Sequence, residues 1–141
     1  MSDDEMLARF EALELPDGFR HRDHVRLAWI HLRRFTVPEA LARISTGLAG
    51  LARSRGVPGR YHQTITWAYV FLIGERMART GREQSWEEFA RDNADLLEWE
   101  GGLLRRYYRD ETLRSGLARE AFVLPDRLDP DPGEVGLGRA S

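Results

Sequence analysis

The stretch YHQTITWAYVFLIGERMART, residues 61–80, decides the fold. Its β-branched opening, Thr64-Ile65-Thr66, would suit a strand. The apolar pattern nevertheless continues through Trp67, Tyr69, Val70, Phe71, Leu72, Ile73 and Met77 and ends at Gly81, about five helical turns and far beyond an ordinary strand. The segment predicts a helix that is apolar around its circumference and therefore central in the molecule.

Upstream of it, Val57-Pro58-Gly59 breaks the chain, and a helix is expected between Thr36 and Gly56. Thr36 supplies the N-cap, Pro38 sits in the first turn, Glu39 completes a capping box, and Leu41, Ile44, Leu48 and Leu51 form the buried stripe. Gly47 and Gly50 lie inside this helix at a cost of roughly 1 kcal/mol each relative to alanine, which a close neighbour or a local kink would explain. An earlier helix from about Arg20 to Phe35 carries Val25, Ala28, Trp29, Leu32 and Phe35 on its apolar side, with Arg22, Arg26 and Arg33 opposite. The first helix runs from about Asp3 to Glu14, opened by Ser2 and Glu5 as a capping box.

Downstream, Ser85 and Glu88 open a short helix to about Asn93. Further short helices are expected over Leu103–Tyr108 and from Ser115 through Phe122. The expected fold is all-α, a compact bundle of four main helices plus short C-terminal helices. Residues 1–124 are read as one domain, and the Pro- and Gly-rich residues 125–141 as a tail that is mobile or draped on the surface.

Composition narrows the partners. Of 141 residues, 42% are hydrophobic and 31% charged, enough apolar surface for a packed interior. The net charge of -2 offers no field for a phosphate backbone, so nucleic acid is not expected as a partner. All 21 basic residues are arginine, for which a coding bias suffices. The cluster Arg105-Arg106-Tyr107-Tyr108-Arg109 reads as arginines on a surface with tyrosines beneath. With no cysteine there is no disulfide or thiolate ligand. An acidic N-terminus and the lack of a long apolar run lead to the expectation of a cytoplasmic protein without a membrane partner.

The chemistry is expected to reside in histidines. His21 and His24 stand one turn apart on the face shared by Ala28, Leu32 and Phe35, and His62 opens the central helix. If the second and fourth helices pack together, the three imidazoles converge near one end of the bundle, with Tyr61 and Thr64 close by. His31 lies ~10 Å further along its helix from His24 and is the poorer member of such a set. Three neutral imidazoles would suit zinc, iron, copper or nickel. A metal-free polar pocket and ordinary structural histidines stay open as alternatives, because a histidine pair three apart is common and is not the four-residue spacing of zinc proteases. Glu98 or Glu100 could add a carboxylate, and Glu75 with Arg76 is read as a structural ion pair on a buried helix.

The blocks His21-Arg22-Asp23-His24-Val25-Arg26-Leu27-Ala28-Trp29, Tyr61-His62-Gln63-Thr64-Ile65-Thr66, Tyr107-Tyr108 and Phe122-Val123-Leu124-Pro125-Asp126 resemble, in order and spacing, a family of small bacterial helical proteins. The resemblance spans roughly residues 19–126. It implies that the two histidine segments belong together, and it carries no activity.

The expectation is a small-molecule enzyme, metal-dependent, with His21, His24 and His62 as ligands and Tyr61, Thr64 or a glutamate near Glu98 assisting. A homo-oligomer stays open. The alternative is a non-enzymatic helical interaction or regulatory protein whose histidines are structural.

Overall fold

A computed structural model describes residues 1–99 and 102–127, and every element among them is helical. The all-α expectation holds. Seven α-helices follow one another: α1 (Asp3–Glu11), α2 (His21–Arg34), α3 (Val37–Ser54), α4 (Gln63–Thr80), α5 (Trp86–Asp92), α6 (Asp110–Arg114) and α7 (Gly116–Glu120). Single 3-10 turns interrupt them at Pro58–Arg60, Ala94–Leu97 and Leu103–Arg106. The last of these stands where a short α-helix was expected, after Gly102 turns the chain at φ 65°.

Local capping sets the boundaries. Ser2, Thr36, Ser85 and Ser115 each accept the amide three residues on, so each helix start has one of its orphan donors satisfied. Only Ser85–Glu88 forms the full reciprocal box among these four; the Glu39 carboxylate turns instead to Arg43 at 3.4 Å. The end of α3 is a Schellman motif: Val57 N–H reaches the Ala52 carbonyl, Gly56 N–H reaches that of Arg53, and Gly56 takes φ 72°. Helix α1 stops earlier than periodicity suggested, because Leu13 adopts a left-handed φ of 59° and turns the chain away.

Helices α2, α3 and α4 pack on one another, α1 lies on α2, and α7 closes on α4. Enclosure is greatest on α2, where Val25, Leu27, Ala28, Trp29, Ile30, His31 and Leu32 are all buried. This corrects the expectation that α4 would be apolar and buried all round. Helix α4 buries Thr64, Ala68, Tyr69, Val70, Ile73 and Met77 but leaves Phe71 43% exposed. The arginines of α2 do not prevent its burial, because they bend back on their own surroundings: Arg26 bonds Asp3 at 2.8 Å, and the Arg33 guanidinium covers the Trp29 ring at 4.9 Å.

The expected charge pair of α4 resolves into two. Arg76 holds Asp95 through both nitrogens at 2.9 and 2.7 Å, while Glu75 pairs with Arg79 at 3.4 Å on the surface. Tyr108 is buried and donates to the Val123 carbonyl, with Arg105 and Arg106 exposed above it, as read from the sequence. Residues 125–127 of the expected tail are anchored, since Asp126 and Arg127 both donate to the Tyr107 carbonyl. Residues 128–141, with Glu100 and Gly101, lie outside the described residues. Among the described residues no helix is long and apolar enough to cross a membrane.

The two glycines of α3 behave differently. A Cβ on Gly47 would stand 2.1 Å from Cζ of Phe10, so the glycine is a recess for that ring, and the close neighbour is the explanation. A Cβ on Gly50 would meet Leu13 at an ordinary 3.5 Å. Gly50→Ala is therefore expected to raise stability by up to ~1 kcal/mol, while Gly47→Ala lowers it by about 1–3 kcal/mol despite the better helix former. Urea unfolding of the two variants checks the opposite signs.

Candidate functional site

The expected histidine set does not converge. His21 is half-buried; its Nε2 donates to the Leu96 carbonyl at 2.8 Å and its ring meets Tyr69 at 4.8 Å and Trp99 at 5.2 Å. His24 is exposed, with its ring 5.0 Å from Phe19. His62 is the N-cap of α4: its Nδ1 accepts the Ile65 amide at 3.1 Å and its Nε2 donates to the Leu113 carbonyl at 2.7 Å.

Both nitrogens of His62 are thus occupied by backbone, which leaves no lone pair for a metal. Tyr69, the neighbour of His21, stands seven residues beyond His62, about 10 Å along the helix, whereas one ion would need every nitrogen at ~2.1 Å. Among the described residues no group of three or more His, Asp or Glu is disposed to hold a metal ion. The assignment of His21, His24 and His62 as joint ligands is corrected on these grounds.

Tyr61 and Thr64 are also drawn into the scaffold. The Tyr61 hydroxyl donates to the Gln63 side chain, and burial raises its pKa. Thr64 is fully buried; its hydroxyl donates to the Ala121 carbonyl at 2.7 Å and accepts the Val123 amide at 3.1 Å. Together His62 and Thr64 fasten the chain from Leu113 to Val123 across the start of α4. Glu98 is exposed.

The histidine set aside in the sequence is the one with a buried, unpartnered nitrogen among the described residues. His31 is completely buried on α2, edge-on to Phe10 at 5.5 Å and beside Phe35 at 5.9 Å. Its Nδ1 lies 2.8 Å from the Leu27 carbonyl one turn back, which requires the proton on Nδ1 in the neutral ring. Nε2 then carries a bare lone pair, and no partner among the described residues reaches it. Burial lowers the pKa of His31, with Arg43 and Arg34 acting the same way against the opposing pulls of the Leu27 carbonyl and Glu11. The ring is accordingly neutral at neutral pH.

Nδ1 is tied to its own helix, and the free nitrogen is itself shielded from solvent. His31 borders a groove of about 510 Å³ between α1 and α3, whose walls include Phe10, Leu13, Gly47 and Gly50. Arg43 and Arg53 stand toward its two ends, ten residues and about 15 Å apart along α3. This volume is that of a small-molecule site. A second, smaller depression of about 240 Å³, bordered by Asp3, Ile30, Arg33 and Arg34, contains no buried unpaired group.

The burial of His31 was readable, since Leu27, Ala28, Leu32 and Phe35 surround it at helical spacing. Its distance from His24 matters only if a metal must be shared. The groove itself is foreshadowed by Gly47 and Gly50, three apart between two arginines.

Fold and site define an all-α bundle with a groove bordered by one buried histidine. No protein-family model, curated protein or solved structure matches the chain.

Proposed function

We propose that this protein is a small-molecule enzyme in which His31, in place of a metal, takes a proton from a substrate seated between α1 and α3. One observation carries the reading: a buried imidazole with its tautomer fixed by the Leu27 carbonyl and an unpartnered Nε2, in the wall of a cavity. A buried acceptor without a donor is destabilising by roughly 1–3 kcal/mol, and a bound hydroxyl or N–H would relieve that cost. Fixing the tautomer through the other ring nitrogen is also how a general base is oriented.

The test is the nitrogen-15 spectrum of the imidazoles. His31 is expected to show a protonated Nδ1 and a bare Nε2 at neutral pH, titrating below the ordinary 6.5. Any proton-abstracting activity should then rise with pH through that titration and be lost in His31→Gln. A ring protonated on Nε2 at neutral pH would overturn the reading.

The alternative of a non-enzymatic protein draws support from His21 and His62, whose rings join distant segments through backbone carbonyls. It expects His31→Gln to change stability alone.

A further inference from the structure

The charges around the groove are not equivalent. Glu11, its acidic wall residue, lies 3.7 Å from Arg43, and Arg43 also pairs with Glu39 at 3.4 Å while its guanidinium covers Phe35 at 4.1 Å. The Arg43 end is therefore neutralised by the protein itself. Arg53 makes no ion pair among the described residues. Its guanidinium folds back along α3 over the preceding turn, with Nη2 3.9 Å from where a Gly50 Cβ would stand, and the exposed side chain lies at the groove wall. An arginine fork of this kind matches a carboxylate or phosphate through two parallel hydrogen bonds.

Between this cation and the imidazole the wall is mainly apolar, with Thr46 as its hydroxyl-bearing member. The Phe10 ring touches both His31 and the Gly47 position, and Gly50 is three residues further, about 5 Å along the helix. Leu13 borders the same stretch, 39% exposed and held in its left-handed conformation at the groove wall. A ligand spanning from His31 to Arg53, with the Phe10 ring giving way to admit it to the shielded Nε2, thus meets an acceptor for its proton, then a mainly apolar surface, then an unpaired cation.

We propose that the groove takes a small anionic hydroxy compound with an apolar body, its carboxylate on Arg53 and its hydroxyl donating to Nε2 of His31. This rests on the His31 reading above, and the probes separate the two. The full protein is titrated with 3-(4-hydroxyphenyl)propanoate, which has both groups, with 3-phenylpropanoate, which lacks the hydroxyl, and with 4-propylphenol, which lacks the anion. Binding is followed through the His31 imidazole resonances.

The bifunctional probe is expected to bind at least about tenfold more tightly than either other compound. Arg53→Gln should reduce it to the level of 4-propylphenol and leave 4-propylphenol itself unaffected. Equal binding of 4-propylphenol and the hydroxy acid, or an Arg53→Gln variant indifferent to the loss, overturns the anion assignment while His31 stands as the acceptor. If no hydroxylated probe shifts the His31 resonances at millimolar concentration, both proposals fall.

Discussion

Phe10→Ala is expected to lower stability by about 3–5 kcal/mol, the range for removing a buried phenylalanine ring. Phe10 is 2% exposed, fills the recess over Gly47 and leans edge-on against His31. Its loss removes a contact of α1 with α3 and merges the vacated volume with the groove. The same variant should make Gly47→Ala nearly harmless, because the three atoms nearest the new Cβ all belong to the Phe10 ring. A double-mutant cycle over Phe10 and Gly47, read by urea unfolding, measures that coupling. Additive effects would show that the recess does not confine the ring.

His62→Ala is expected to cost about 2–4 kcal/mol, combining a lost helix cap with the Leu113 carbonyl left without its donor. Acid should act on the same residue. Burial lowers the His62 pKa, helped by Arg119 and opposed by the Leu113 hydrogen bond. The unfolded imidazole, at its ordinary 6.5, then binds a proton before the folded one does, so stability falls as pH drops below 6.5 and until the folded pKa is passed. Protonating Nδ1 also removes the acceptor for the Ile65 amide. His21 and His31 are lowered as well, burial being the largest cause in each, and they add to the slope. Unfolding free energies measured above and below pH 6.5 should show less loss in His62→Ala than in the wild-type protein.

What could be read in advance follows the range of the interactions involved. The caps at Ser2, Thr36, Ser85 and Ser115 act over three residues, so helix starts were legible almost to the residue. The recess at Gly47 was foreseen as a close approach, though its occupant, thirty-seven positions upstream, was not. Which helix becomes most enclosed depends on how arginines such as Arg26 and Arg33 fold back, and periodicity treats them simply as polar. The histidine site failed for the same reason. Placing His21 and His24 on one face is local geometry, but the carbonyls engaging His21 and His62 come from Leu96 and Leu113, 75 and 51 positions away, with no local trace. The bare nitrogen of His31 is a negative fact about its surroundings, which no spacing rule encodes.

The Thr64 hydroxyl also bears on the order in which the molecule assembles. Its two partners are 57 and 59 positions downstream, and closing so long a loop is slow compared with winding and docking neighbouring helices. While the chain is being synthesised, α1 to α4 can come together long before Ala121 and Val123 exist. Until then water must serve that hydroxyl, and the final described residues complete the interior by shutting over it.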